Sequence, residues 1–448
     1  MRINSVGFQP CDLLLPASHV NPEKWACVAC DQYTSQPEYW HAAAAVAGDA
    51  PSCLKLVLPE CFLPETELRV PRIHAEMQQY LQDGTLEKKV AGGFVLLERT
   101  TESGARLGLV GAVDLEQYDF TGEKSLIRPT EQTITARLPA RLAIRRGAPV
   151  ELSHIMLLLD DPLRTVVEPL YARRDAFEKV YDFPLMQQGG HLRGWAITKD
   201  ADVTGILAAL EALRERLGAD PLLFAVGDGN HSLATAKARW NELKQTLSPD
   251  ELADHPARLA MVEVENIHDE ALQFEPIHRV LTGVDAQALL ADWAAFCCER
   301  GMQLTIGDTP AGNAQSVIAC DAAGEKTVFI QNPDGPIPVA TLQTIWMISL
   351  PVILKRRSIT STGTTCCAIW PLRLPPLASC CLRWISPPSS RRSIRWAFCP
   401  ERPSPWGTPM KSGSIWSAGH FAEWKTKQQA GQWGDGKDEL LLHCITDK

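Results

Sequence analysis

Apolar positions along the chain recur with two periods. A spacing near 3.6 predicts helices over Arg72–Leu86, where Ile73, Met77, Tyr80 and Leu81 share a face, and over Arg164–Val180, Val203–Leu217, Leu233–Lys244 and Ala286–Arg300. Shorter apolar runs predict strands. Phe94–Glu98 and Leu107–Val113 flank the turn residues Glu102-Ser103-Gly104 and read as a β-hairpin. A run from Glu151 ends in the paired carboxylates Asp160 and Asp161, and Leu259–Asn266 is expected to deliver Glu265, His268 and Asp269 to a loop. Ser248-Pro249-Asp250 has the form of a helix start, with a capping hydroxyl and a first-turn proline.

Strands and helices interleave while hairpins persist, which defines an α+β class: a mixed sheet with flanking helices. The expected parts are 1–155, an N-terminal α/β part, and 156–343, a core part. Residues 344–448 follow as a segment without a defined fold, because neither period continues beyond about Ile345.

Composition changes this picture in three places. With 448 residues and 45% hydrophobic content the chain can bury a sizeable core. It contains no 18-residue apolar run and no hydrophobic leader after Met1, so a cytoplasmic protein without membrane contact is expected, and its 14 cysteines are expected to be reduced thiols. Cys27 and Cys30 have the spacing of half a zinc site, but no second pair follows at ligand spacing, which favours packing for those thiols. The net charge of −9 divides into −17 over residues 1–345 and +8 over 346–448. A nucleic-acid-binding domain would carry a basic stripe on its folded part; here that part is acidic, and no nucleic-acid partner is expected.

The basic segment is rich in Trp, Cys, Ser, Arg and Pro, and between Trp346 and Ala422 its single acidic residue is Glu401. Disordered tails are poor in Trp and Cys. A shift of reading frame accounts for the composition. Trp and Met have single codons, so Ile345-Trp346-Met347-Ile348 read from one nucleotide earlier gives Leu or Met followed by two aspartates. In the same frame Trp406-Gly407 forces a glycine and Met410-Lys411 a glutamate, residues ordinary in a folded protein.

Candidate chemistry centres on Phe224-Ala225-Val226-Gly227-Asp228-Gly229-Asn230-His231-Ser232, where an apolar run ends in two glycines bracketing an aspartate and an Ala-rich helical pattern follows. Strand, tight loop, helix is the reading. Glycine permits positive φ, and the first helical turn directs main-chain N–H groups at whatever sits in the loop, a place that attracts phosphate or carboxylate. Backbone groups and side chains of Gly227, Gly229, Asn230 and Ser232 are the candidate ligand contacts. Arg128 and Arg141 would supply cations, Asp228 or Glu131 a base or metal ligand, and His231 a proton. The expected partner is a small anionic or phosphorylated ligand. Three activities fit these residue types: phosphoryl-transfer or phosphoester chemistry with a nucleotide and Mg²⁺ as candidate cofactors, non-catalytic binding of a small anion or nucleotide, and hydrolysis at a metal held by Asp228, His231, His268 and Asp269.

Gly227–Ser232, Ile127-Arg128-Pro129-Thr130-Glu131, Trp25–Tyr33, Gly189–Trp195, and Asn266–Asp269 with Phe274–Arg279 together resemble the bacterial and archaeal domain-of-unknown-function family 1015, over about residues 1–343. The Gly-Asp-Gly loop is also similar to the Asp-Gly-His-His-Arg loop of free-serine kinases in the ParB/sulfiredoxin-like superfamily. That likeness implies a ParB/sulfiredoxin-like core and nucleotide phosphates at the loop. Asp228 and Gly229 match the Asp-Gly, and His231 matches the second His. Asn230 stands for the first His and Ser232 for the Arg, so a bidentate phosphate clamp is missing.

Overall fold

The fold is taken from a computed structural model. The described residues are 4–28, 37–101, 104–121, 123–130, 133, 135, 138–152, 155–219, 221–272, 277–282, 285–307, 312–321, 324–334, 341–342, 345, 358–362, 379–385 and 440–443. The chain forms two compact units, 1–272 and 273–448.

In the first unit the chain runs through β1 (Phe8–Gln9), β2 (Cys11–Pro16), α1 (Pro22–Trp25), α2 (Pro37–Ala47), two 3-10 turns (53–56 and 60–65) and α3 (Thr66–Gln82). The hairpin strands β3 (Leu86–Thr101) and β4 (Gly104–Asp114) follow, then β5 (Ile127–Pro129), α4 (Leu138–Arg145), β6 (Met156–Leu159) and α5 (Glu168–Ala172). The unit closes with β7 (Glu178–Pro184), β8 (His191–Ile197), α6 (Asp200–Arg216), β9 (Phe224–Asp228), α7 (Asn230–Leu243), α8 (Pro249–Asp254) and β10 (Leu259–Asn266).

Ten of these strands form one mixed sheet in the order β5-β9-β6-β10-β4-β3-β8-β7, with β1 added to β4 and β2 to β3. Two neighbouring pairs are parallel, β5 with β9 and β6 with β10. The α+β reading holds. The expected boundary at 155/156 does not coincide with the division at 272/273: β6, β8, β9 and β10 lie in the same sheet as β3 and β4, because each needs a neighbour to pair its main-chain groups.

Alternation of apolar residues gives the sheet its main core. Phe94 and Leu96 of β3, Leu157 and Leu159 of β6, Phe224 and Val226 of β9 and Val262 and Val264 of β10 are all buried in one cluster. Ile206, Leu210 and Leu213 of α6 and Leu233, Ala236 and Trp240 of α7 belong to the same cluster. Gly111 has no side chain because the Phe8 ring is there: an added Cβ would lie 2.5 Å from its Cζ. A separate apolar cluster joins Trp25, Leu56, Ile73, Met77 and Tyr80 under the 3-10 turns and α3.

Helix ends follow the expected chemistry. Ser248 and Glu251 form a full capping box on α8. Asp200 and Asp202 occupy the first turn of α6 and Arg214 and Arg216 its last, matching the helix dipole. The predicted helix over Arg164–Val180 is not there. Only α5 and one 3-10 turn form, and the chain is already a strand at Glu178. Val180, Tyr181 and Phe183 suit an extended strand, and pairing with β8 outweighs the helical period.

In the second unit β11 (Ile277–Thr282) precedes α9 (Ala286–Glu299), β12 (Gln303–Ile306), β13 (Ala314–Asp321) and β14 (Gly324–Gln331). Leu289, Trp293 and Cys297 of α9 share a buried cluster with Val317, Ala319, Val328 and Ile330 of the β13/β14 hairpin. Beyond 345 the described residues are three strands, β15 (Ser358–Thr362), β16 (Ser379–Ile385) and β17 (Leu440–His443), whose backbones pair with β11 or β13.

Candidate functional site

β9 runs between β5 and β6. It is parallel to β5, with Ile127 opposite Phe224 and Pro129 opposite Val226, and antiparallel to β6, with Met156 opposite Asp228. The carboxyl ends of β5 and β9 therefore lie side by side, and α7 starts immediately beyond them. Strand, turn and helix appear where the pattern of residues 224–244 predicts them.

Gly229 is the helix cap, with φ +82°, a conformation that favours glycine. An added Cβ there would also lie 3.1 Å from Ile155 Cα. At Gly227 it would lie 2.8 Å from Leu158 Cγ. Packing against Ile155 and Leu158 explains both glycines, so the space their missing side chains leave is filled by the protein itself.

The polar side of the turn is tied to β5. The Thr130 hydroxyl donates to the Val226 carbonyl at 2.6 Å, and the Asn230 amide lies 3.4 Å from the Thr130 oxygen. Asp228 Oδ1 accepts from the Gly229 N–H at 2.7 Å. Asn230 and His231 are buried, at 3% and 4% exposure, and the His231 carbonyl accepts from the Thr235 hydroxyl at 2.6 Å. Arg128, opposite Ala225, directs its Nε to the Ser125 carbonyl at 2.8 Å. Glu131 lies outside the described residues.

α7 is held by charged side chains at several levels. Lys237 Nζ donates to the Leu115 carbonyl at 2.7 Å, and burial lowers its pKa. Glu116 accepts from the Trp240 indole and from Lys244 Nζ. Glu242 takes hydrogen bonds from Arg146, just beyond α4, and from Arg239; the bond from Arg146 holds its carboxyl down at about 2.

One long side of α7 faces a cavity of about 610 Å³. Ser232, Thr235, Arg239 and Leu243 line it from the helix, and Arg141 and Glu60, an ion pair, line it from α4 and the second 3-10 turn. Of the sequence-predicted residues, Ser232 and Arg141 share this cavity. Gly227, Asp228, Gly229, Asn230, His231 and Arg128 are not in its wall. Arg239, Thr235 and Glu60 were not predicted; the first two were legible as a stripe with Ser232 at helical spacing, while Glu60 gave no local signal.

The four-residue metal site does not form. Asp228 lies opposite Met156 at the start of β6, whereas Asn266, just before His268 and Asp269, lies opposite Leu159 at its end. His268 bonds instead to Asp160 at 2.7 Å, and Asp269 accepts from the Leu107 and Ala271 amides. No group of three His, Cys, Asp or Glu side chains suited to a metal occurs among the described residues. Asp161 accepts from the Val166 amide at 3.0 Å and from Thr165, fixing the turn that leads to α5. Cys30 lies outside the described residues, and the Cys27 sulfur sits 3.5 Å from that of Cys53.

Glu265 is not delivered to a loop. It is fully buried within β10, with its carboxylate 2.8 Å from Arg106 Nε, while Glu263 reaches the same guanidinium at 3.5 Å. Burial pushes the Glu265 carboxyl well up, against the opposing pull of Arg106. Glu263 and Glu265 alternate with Val262 and Val264 along β10, but the arginine that gathers them comes from β4, which no local window contains.

Residues 14–344 match the family described as Protein of unknown function (DUF1015), and the chain belongs to that family. Neither a curated protein nor a solved structure matches it. Among the described residues no helix is long and apolar enough to cross a membrane.

Proposed function

We propose that the chain takes a small phosphorylated or carboxylated molecule where β5 and β9 end beside the first turn of α7, and performs phosphoryl-transfer or phosphoester chemistry there. The observation behind this reading is the Thr130 clasp, which ties the end of β5 to Val226 and Asn230 and so sets the Arg128–Thr130 stretch against the Gly227–Ser232 turn. Parallel strands that end beside a helix N-terminus place main-chain dipoles where an anion gains most. Transfer of a phosphoryl group needs positioning and charge neutralisation more than covalent help from the protein. Main-chain N–H groups of the turn would hold the phosphate, Arg128 would neutralise it, and Asp228, oriented by the Gly229 amide, would accept the proton of the attacking group. Glu131 is the alternative base and His231 the acid, with a nucleotide and Mg²⁺ as the candidate cofactors.

A second reading, binding of a small anion or nucleotide without turnover, is favoured by the burial of His231, which holds the acid away from solvent. Thermal unfolding with inorganic phosphate, pyrophosphate and ATP, each with and without Mg²⁺, tests the site: a ligand at a hundred times its Kd stabilises by about 2.7 kcal/mol. Unchanged unfolding with every one of these at millimolar concentration would exclude the anion site. Asp228→Asn is expected to keep the stabilisation and lose turnover of whichever phosphorylated probe is consumed. If no probe is consumed but binding persists, the second reading holds.

A further inference from the structure

We infer that the cavity beside α7 receives the apolar body of a small amphipathic anion, a phosphate monoester or carboxylate with a hydrocarbon chain or ring, whose charged end lies at Ser232. This rests on the proposed anion site and names the substrate class for it. Ser232, Thr235, Arg239 and Leu243 fall at i, i+3, i+7 and i+11 and all line the cavity. A helix rises about 1.5 Å per residue, so the slot follows α7 for roughly 16 Å, from its first turn to its last. One end of the slot is therefore Ser232, the last residue of the turn where the anion is placed, while Gly227–His231 and Arg128 lie outside its wall.

Size and lining chemistry agree. A volume of about 610 Å³ lies within the range of small-molecule sites. Opposite α7 the walls are largely apolar, with Leu56, Leu58, Met77, Ile144, Val150 and Leu152. The charged groups in the wall pair with one another: Arg141 with Glu60 and Arg145 with Glu151. A hydrocarbon body laid along them strands no lone charge, which would be costly. Arg239, the third arginine of the wall, pairs with Glu242. The dipole of α7 fixes the orientation, since its positive end is at Ser232 and its negative end at Leu243.

Titration calorimetry of the full chain with inorganic phosphate, n-octyl phosphate and n-octanol tests the inference. Octyl phosphate is expected to bind at least about tenfold tighter than phosphate, since each buried CH₂ adds about 0.8 kcal/mol at most, and tighter than octanol. Ala148→Trp, at the cavity wall, is expected to cut octyl phosphate affinity at least about tenfold and leave phosphate affinity unchanged; Val150→Trp is the second plug, used if the first lowers the ligand-free melting temperature. If phosphate binds but octyl phosphate binds no tighter, or if a folded plug variant leaves octyl phosphate affinity intact, the slot is wrong and the anion site stands. Octanol binding as tight as octyl phosphate overturns the placement of the charged end. Failure of both phosphates to bind removes the anion site and this inference with it.

Discussion

Gly229 illustrates how much depends on one atom at the turn. Its φ of +82° and the 3.1 Å approach of Ile155 Cα to an added Cβ act together, and neither is relieved by moving a flexible side chain. Gly229→Ala is therefore expected to destabilise the fold by about 1–3 kcal/mol, the range for a residue held in a sparsely populated backbone region, as a lower urea midpoint at unchanged m-value. Arg106 is the other sensitive residue. It is 4% exposed and stands between Glu263 and Glu265, so Arg106→Met leaves the buried Glu265 and the half-buried Glu263 without their counter-ion. A loss of about 3–5 kcal/mol in urea unfolding is expected at neutral pH. The loss should shrink as pH falls, because the raised pKa of Glu265 means that its proton, once bound, removes the charge that Arg106 offsets.

The packing of α4 against α7 carries a pH signature. Glu242 receives Arg146 and Arg239, and its folded pKa of about 2 lies below the ordinary 4.5. A depressed carboxylate lends stability that is complete above its unfolded pKa and is lost as pH falls toward the folded one. The window is thus about pH 4.5 to 2. Glu242→Gln is expected to flatten the acid limb of the stability curve there. The effect should stay below about 1 kcal/mol, since the pair is partly in solvent. Elements of this kind were partly legible beforehand. The strand, turn and helix at 224–243 and helices α6 and α9 follow local periodicity and glycine chemistry, so the chain itself announces them. The stretch 164–180 does not, because its helical spacing loses to strand pairing with β8, a neighbour that no local window contains. The cavity is illegible for the same reason: Leu56, Met77, Arg141, Leu152 and Ser232 meet only after the sheet and helices have assembled. Thr130 belongs to the Ile127–Glu131 motif, but its hydroxyl bond to Val226 spans 96 residues and needs the β5/β9 pairing to exist.

Across the whole molecule, the first unit has its own sheet and three apolar clusters, with Phe8, Phe224 and Trp240 fully or almost fully buried. Residues 1–272 expressed alone are expected to fold, with a single cooperative unfolding transition by both circular dichroism and tryptophan fluorescence. The family match ends at residue 344, next to the point where acidic residues nearly vanish from the sequence. Sequencing of the coding locus near codon 343 is expected to reveal a one-nucleotide insertion or deletion; an intact frame there excludes the shift. The parallel pairing of β5 with β9 has a consequence for synthesis. Ile127 leaves the ribosome 97 residues before its partner Phe224, and at about 5–20 residues per second the edge strand waits on the order of five to twenty seconds. Throughout that interval the carboxyl end of β5 has no turn beside it, so a nascent chain halted before β9 emerges holds half of the proposed pocket and no grip on a ligand.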